Sequence, residues 1–194
     1  METIKKIVVI GPESTGKSTL CQKLADHYHT LWAPEYAREY LEKHGPEYDY
    51  GDLIDIAAGQ LELEEEALAR LHKHHKGHLS GVGLPAFTAR YKPLFIDTDM
   101  YVMKVWSEFV FNKCHNWILN RIAERSYDLY FLCDVDLPWV KDDLREYPDP
   151  EVRRKLFHFY KDLLVNQQVP WCHISGDYDQ RLLKAIQCIE RSFA

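Results

Sequence analysis

A short glycine-containing motif near the N-terminus constrains this chain more than any other feature. Residues 11–18 read Gly-Pro-Glu-Ser-Thr-Gly-Lys-Ser, the complete G-x-x-x-x-G-K-[ST] pattern of a phosphate-binding loop. The apolar run 7–10 precedes the motif, and Leu20, Leu24 and Tyr28 follow it at helical spacing. A strand that enters such a loop and a helix that leaves it direct backbone N–H groups and the helix N-terminus at one phosphate. The alternative is a strand–helix turn that matches the pattern by chance.

The chemistry of the motif assigns roles to its residues. Gly11 and Gly16 lack a Cβ, so the backbone can wrap closely around phosphate oxygens. We expect Lys17 to neutralise those oxygens and the hydroxyl of Ser18 to bind Mg²⁺. The residues expected to contact the nucleotide are Gly11, Glu13, Ser14, Thr15, Gly16, Lys17, Ser18 and Thr19.

Size and charge limit the class of protein. With 194 residues, 46% of them hydrophobic, the chain falls within the range of one domain, and we expect residues 1–194 to form a single domain. The formal net charge of −6 gives no basic surface for a nucleic-acid backbone. We therefore expect a small anionic ligand and no nucleic-acid partner.

The five cysteines are scattered, odd in number and without C-x-x-C spacing, which favours reduced thiols. A strand is predicted to begin within a few residues of Met1, so we expect no signal peptide. No apolar stretch is long enough to span a bilayer. Together these observations predict a cytoplasmic protein with no membrane partner.

Short apolar runs alternate with longer amphipathic stretches, which is typical of a parallel sheet with crossover helices. Helices are predicted over 52–71, through 102–110, after the Pro-Asp-Pro break at 148–150, and over 178–191. The fold class predicted is α/β, with helices on both faces of a central sheet of about five parallel strands. The predicted strands are Lys6–Ile10, Leu31–Ala33, Leu94–Asp97, Leu129–Cys133 and Trp171–Ile174.

A histidine-rich segment is the least regular part of the chain. Residues 72–78 contain four histidines, and the irregular stretch continues to about residue 93. Histidines this close can bind a transition metal. We favour a solvated helix end and loop, because lysines lie among the histidines and repel cations. The segment is also a candidate lid or subunit contact, so the sequence does not exclude a homo-oligomer.

Two aspartates follow a buried strand. Asp97 is predicted at the carboxyl end of that strand, where open α/β sheets bind ligands, and an acidic group there can orient Mg²⁺. Asp99 is a candidate substrate-binding residue, with capping of the next helix as the alternative. Asp97 can be functional while Asp99 caps the helix, since these two roles fall on different residues.

The segment 34–39 follows the second predicted strand and contains Glu35, Tyr36 and Arg38. A carboxylate here can accept a hydroxyl proton, and an arginine can stabilise charge on a transferred group. The competing interpretation is the start of a surface helix, whose first turn favours glutamate. The residues alone do not separate the two.

Basic residues in the region 138–155 suit a mobile lid. Phosphoryl transfer builds negative charge that Arg145 and Arg154 can reach once both substrates are bound. Their alternative is ion pairing along a helix. Trp139 is a candidate for stacking on an aromatic ring of the substrate, or else a core residue.

These segments together resemble the ribosylnicotinamide kinase domain of the NadR family, a branch of the P-loop kinases. The resemblance implies a three-layer α/β/α P-loop kinase fold. It also implies transfer of the γ-phosphoryl group of ATP to the 5′-hydroxyl of nicotinamide riboside, which yields nicotinamide mononucleotide in NAD salvage. The matching segments keep the order of the family and span most of the chain: Gly11–Thr19, Trp32, Glu35–Tyr40, Phe95–Asp99, Tyr127–Leu129, Pro138–Val140 and Leu144–Arg145.

The resemblance also implies residue roles. Lys17 and Ser18 would hold the phosphates and Mg²⁺, while the acceptor side would be lined by Glu35, Arg38 and Asp97. Trp139 would stack near the nicotinamide, and the lid would be formed by Arg145 and Arg154.

The chain departs from the family pattern at three points. It begins at the first kinase strand, so we expect neither an adenylyltransferase nor a helix-turn-helix activity. Asp142-Asp143 replaces the usual aspartate–glycine step, and 79–91 resembles an insertion. The alternatives are a kinase for another nucleoside or a nucleoside monophosphate, and a nucleotide-dependent regulatory ATPase.

Overall fold

Parallel strands form the centre of the structure, a computed structural model that describes residues 3–74 and 90–194. Within those residues one sheet has five strands in the order β2-β3-β1-β4-β5, with every neighbouring pair parallel. β2, β4 and β5 have the predicted bounds, and β1 and β3 begin three residues before the prediction. The strands are β1 (Thr3–Ile10), β2 (Leu31–Ala33), β3 (Tyr91–Asp97), β4 (Leu129–Cys133) and β5 (Trp171–Ile174).

Helices connect the strands and cover both faces of the sheet. The predicted helices are confirmed, and α5, a nine-residue helix with only Ile118 buried, was not predicted. No helix in the described ranges is long and apolar enough to cross a membrane. The helices are α1 (Lys17–His27), α2 (Tyr36–His44), α3 (Asp52–His74), α4 (Met100–Phe111), α5 (Asn116–Glu124), α6 (Pro150–Val165) and α7 (Tyr178–Ser192).

Alternating residues of the central strand divide the core into two layers. Ile7 and Val9 of β1 face α1 and α7, whereas Val8 and Ile10 face α3, α4 and α6. All four side chains are fully buried, as expected for a strand covered on both faces. The α/β/α layering predicted from the sequence is therefore confirmed.

The prediction of five reduced cysteines is wrong for two of them. Cys172 of β5 and Cys188 of α7 form a disulfide, with their Cα atoms 6.7 Å apart. Packing of α7 against the edge strand brings the two together, a proximity that their separation of 16 residues does not signal. The other three, Cys21, Cys114 and Cys133, are free thiols.

Reduction of the Cys172–Cys188 disulfide should lower the free energy of unfolding by about 3 kcal/mol, because the cross-link restricts the unfolded chain. Denaturant unfolding with and without dithiothreitol measures the difference. Cys114→Ala should respond to the reductant as the wild type does, while Cys188→Ala should not respond. A wild-type curve that dithiothreitol leaves unchanged contradicts the prediction.

Candidate functional site

The phosphate-binding loop joins β1 to α1 and is held in shape by its own contacts. Gly11 has φ 144°, and a Cβ there would lie 2.8 Å from the Cys133 carbonyl oxygen of β4. Gly16 has φ 75° and precedes the first residue of α1. The Thr15 hydroxyl and the Lys17 ammonium group donate to the Pro12 carbonyl at 2.7 and 3.2 Å. The loop is therefore preformed around the first turn of α1, as an anion site requires.

Arg181, a buried arginine that the sequence analysis missed, holds the phosphate loop by a hydrogen bond to its backbone. Arg181 of α7 is 1% exposed, and its guanidinium donates to the Thr15 carbonyl at 3.0 Å. It also donates to the carbonyls of Gly176 and Asp134 and pairs with the Asp136 carboxylate. The available signal was a charged residue on the apolar face of α7, which periodicity alone treats as an exception.

Asp97 lies at the end of β3, directly beside the phosphate loop. It pairs in register with Val9 of β1 and is completely buried. Neither of its carboxylate oxygens makes a hydrogen bond of standard geometry within the described residues, although the Ser18 and Thr98 side chains lie close enough to lower its pKa. Burial raises the pKa of Asp97, the Glu35 carboxylate raises it further, and Lys17 lowers it. Buried carboxylate oxygens with unused acceptor capacity near the Ser18 hydroxyl fit a hard cation such as Mg²⁺.

The backbone after Asp97 is strained. Thr98 has φ 78°, which is a true outlier for a β-branched residue and costs roughly 1–3 kcal/mol. Its hydroxyl lies 3.4 Å from a carboxylate oxygen of Glu35, the residue that precedes α2. The turn thus brings Glu35 and Asp97 to one place, as the sequence analysis expected for the acceptor side.

Gln60, a second residue that the sequence analysis missed, fixes the backbone where β2 and β3 end. Gln60 of α3 is buried, accepts from the backbone N–H of Tyr36 at 2.8 Å, and donates to the carbonyls of Pro34 and Asp97. The ring of Tyr36 packs directly on the Cα of Gly59. The structure therefore holds Tyr36 against α3 as a packing residue.

Asp99 serves the helix that follows it. Its side chain accepts from the backbone N–H of Tyr101 at 2.9 Å and from the Tyr130 hydroxyl at 2.8 Å. It is 2% exposed, and burial raises its pKa to about 7. The capping alternative for Asp99 is confirmed, and its carboxylate is directed at α4 and β4.

A cavity of about 370 Å³ adjoins the phosphate loop and Glu35. Its polar end is the phosphate loop from Gly11 to Thr19, with Glu35 and Arg38 beside it. Its other end is largely apolar and aromatic, which suits a flat ring. That end is lined by Leu41, Val102, Trp106, Phe109, Tyr147, Leu156 and Tyr160.

The irregular segment 134–149, here called the cover, closes one side of the cavity. Arg38 of α2 forms an ion pair with Asp142 of the cover at 2.9 Å. The Tyr48 hydroxyl donates to the Glu146 carboxylate at 3.0 Å. These contacts attach the cover to the α2–α3 side of the cavity, and Arg38 is engaged by the cover.

The predicted lid arginines lie in different places. Arg145 lines the cavity and donates to the Val140 carbonyl, whereas Arg154 is half-exposed and pairs with Glu151 one turn earlier on α6. The basic residue of α6 that reaches the phosphate loop is Arg153, which is 4% exposed and donates to the Ser14 carbonyl at 3.2 Å. The guanidinium groups of Arg145 and Arg153 lie 5.9 and 5.4 Å from the centre of the Trp139 ring.

The histidine-rich stretch predicted as a loop over about 72–93 lies mostly outside the described residues. His72 belongs to the last turn of α3 and is exposed. Within 3–74 and 90–194, no group of three or more His, Cys, Asp or Glu side chains is arranged to hold a metal ion.

Comparison with known families and proteins agrees with this geometry. The sequence profile of a family described as an AAA domain matches residues 6–181. The trifunctional NAD biosynthesis/regulator protein NadR of Salmonella typhimurium is 27% identical to this chain over 192 residues. The protein of the same name from Escherichia coli is 25% identical to it over 189 residues. The alignments cover 96% of this chain and 42% of each relative, so the chain spans less than half the length of these relatives. The resemblance to NadR is confirmed.

Solved structures show the same fold. A NadR protein in complex with NR superimposes with a TM-score of 0.71 at 22% identity, over 97% of this chain and 49% of that one. A NadR complex with NAD and AMP-PNP gives 0.67 at 22% identity and the same coverage. Thymidylate kinase from Ehrlichia chaffeensis gives 0.58 at 16% identity, over 97% of this chain and 98% of that one.

Gly11→Ala should displace the phosphate loop, because the added Cβ would lie too close to the Cys133 carbonyl. We expect affinity for Mg²⁺-ATP, measured by calorimetric titration, to fall by roughly 10- to 100-fold, because a hydrogen bond to a charged phosphate contributes about 1.5–3 kcal/mol. Gly45→Ala is the matched control, since Gly45 also has a positive φ but no atom of the described residues lies within 4 Å of the added Cβ. Its backbone (φ 100°, ψ 165°) lies in a region that glycine alone adopts readily, so the variant should lose about 1–3 kcal/mol of stability and bind nucleotide normally. Equal affinities of both variants would contradict the prediction.

Proposed function

This chain belongs to the AAA domain family, and from that premise we propose that it transfers the γ-phosphoryl group of ATP to the 5′-hydroxyl of nicotinamide riboside, forming nicotinamide mononucleotide. One observation carries the proposal. A single cavity joins a phosphate-binding loop to an apolar aromatic compartment under a cover. A nucleotide-binding switch has no need of that second compartment, whereas an enzyme that phosphorylates a ring-bearing acceptor does.

The comparisons support this choice of substrates. The curated relatives are named for NAD biosynthesis, and NadR has been solved with NR and with the ATP analogue AMP-PNP. Because this chain covers 42% of those relatives, the proposal is confined to the kinase step. We propose residues 1–194 as one kinase domain, with a small-molecule acceptor and no nucleic-acid partner, in keeping with the charge of −6.

The donor side follows from the phosphate loop. Backbone N–H groups of the loop and the Lys17 ammonium group would bind the β- and γ-phosphates, in the manner of P-loop proteins. Ser18 and Asp97 would hold Mg²⁺, which when bound neutralises charge on the β- and γ-oxygens. The unused acceptor capacity of the Asp97 carboxylate supports this assignment.

On the acceptor side we assign the proton to Glu35. This residue lines the cavity, whereas the Asp97 carboxylate is buried and assigned to the metal. The acceptor hydroxyl oxygen forms a bond to the γ-phosphorus, the bond from phosphorus to the β,γ-bridging oxygen breaks, and the hydroxyl proton passes to Glu35. ADP leaves with the bridging oxygen. Arg145, at the cavity wall, would stabilise charge on the transferred group.

The aromatic compartment also admits other flat rings, so a kinase for another nucleoside or for a nucleoside monophosphate is the second candidate. Thymidylate kinase, which has a similar fold, represents that class. We propose a cytoplasmic location, where ATP is abundant.

Incubation with ATP, Mg²⁺ and a panel of nucleosides and nucleoside monophosphates should release ADP fastest with nicotinamide riboside. The charged pyridinium ring suits an aromatic compartment, because aromatic faces attract cations. Mass spectrometry should detect nicotinamide mononucleotide as the product. Turnover with a different acceptor alone supports the second candidate, and ATP hydrolysis that no acceptor changes would support a regulatory ATPase.

Asp97→Asn should lower kcat by about 10–100-fold, as is usual when a group that orders a metal site is lost. Its thermal stability should be unchanged or higher, because burial disfavours the charged form of the Asp97 carboxylate. Steady-state kinetics over a range of Mg²⁺ concentrations and thermal denaturation measure the two effects. Asp55→Asn, on the exposed face of α3, is the control for charge. Full activity of Asp97→Asn at limiting Mg²⁺ would exclude the metal role.

A further inference from the structure

Glu13 occupies a variable position of the phosphate-loop motif, yet its side chain is directed at the cover. Its carboxylate accepts hydrogen bonds from the backbone N–H groups of Glu146, at 3.1 Å, and Tyr147. Residues 13 and 146–147 are more than 130 positions apart in the chain. The contact therefore joins the donor loop to the far end of the cover.

A carboxylate at position 13 has an electrostatic cost. A negative charge beside a phosphate-binding loop opposes the binding of a triphosphate. Two backbone N–H groups directed at one carboxylate offset that charge and form hydrogen bonds stronger than those between neutral groups. The Glu13 side chain is thus already engaged, and it fits a structural connection better than a phosphate contact.

The connection ends on a wall of the acceptor compartment. Tyr147 lines the cavity, and its ring packs edge-on against Phe109 of α4, with the ring centres 5.2 Å apart. The neighbouring loop residue holds the other end of the same stretch, because the Ser14 hydroxyl accepts from the backbone N–H of Val140 at 3.1 Å. Two successive residues of the phosphate loop therefore hold the cover at both ends of 140–147.

We propose that Glu13 is a positioning residue that fixes Tyr147 in the acceptor compartment and so couples the conformation of the phosphate loop to acceptor binding. The proposal rests on the proposed kinase function. It assigns Glu13 to the cover and not, as the motif alone suggested, to the nucleotide. Loss of the carboxylate frees the backbone at 146–147 from the phosphate loop, while the backbone amides of the loop and Lys17 keep their places around the phosphates.

Steady-state kinetics tests the coupling. Glu13→Ala should raise KM for nicotinamide riboside on the order of 10- to 100-fold, the effect of removing hydrogen bonds to a charged acceptor. KM for ATP should change by less than about threefold. Glu13→Gln should be intermediate, because its amide oxygen still accepts a hydrogen bond. Glu66→Gln, an exposed position on α3, removes the same charge and should match the wild type.

Hydrogen–deuterium exchange provides a second measurement that needs no acceptor. Peptides covering 140–149 should exchange faster in Glu13→Ala than in the wild type, while peptides covering β4 should not change. Thermal denaturation checks that each variant is folded. If Glu13→Ala does not fold, the isosteric Glu13→Gln decides the matter in the same two assays.

The outcomes separate the two proposals. Faster exchange at 140–149 in a protein that does not phosphorylate nicotinamide riboside overturns the proposed function and keeps the role of Glu13. Unchanged exchange with a raised KM for ATP overturns the role of Glu13 and assigns the carboxylate to the nucleotide. Unchanged exchange and unchanged KM values also overturn it.

Discussion

The parallel pairing of β1 between β3 and β4 is the constraint on which the rest of the site depends. Parallel strands end at the same edge of the sheet, so the phosphate loop after β1, Asp97 at the end of β3 and the cover after β4 lie side by side. Gly11 fits this arrangement because a side chain there would meet the carbonyl of Cys133 at the end of β4. The chemistry is therefore concentrated where the connectivity reverses direction.

Residues close to the loop contribute charge in two distinct ways. Arg181 is buried beneath it and satisfies main-chain carbonyls from the phosphate loop, the start of the cover and the β5–α7 turn. Asp97, in contrast, is buried with acceptor capacity to spare. A buried charge with all its partners stabilises one conformation, while a buried charge without them favours the arrival of a cation. Arg181 therefore maintains the shape of the site, and the Asp97 carboxylate is available to a ligand.

Local signals predicted much of the fold but less of the site. The phosphate loop, three strand bounds and the capping of α4 by Asp99 follow from motif, periodicity and cap chemistry, which act within a few residues. Gln60 and Arg181 were missed as parts of the site because their partners lie far away in the chain. The contact of Arg153 with the phosphate loop was not predicted for the same reason. The same reason explains the disulfide that was not predicted. The interpretation of 34–39 was undecided because one segment holds both a helix start and a cavity wall.

Helix α3 is fastened to the sheet at two successive turns of one face. Gln60 bonds to the ends of β2 and β3, and the buried carboxylate of Glu64 contacts Lys6, Arg125 and the Tyr127 hydroxyl. Helix α3 is thus fixed by buried polar contacts, whereas the cover lacks regular secondary structure and is held through a few side-chain contacts, such as those of Glu13 and Arg38. Exchange of ligands with solvent then needs only the displacement of a short segment, which belongs to the microsecond-to-millisecond range of loop motions. Departure of product would proceed without any rearrangement of the sheet.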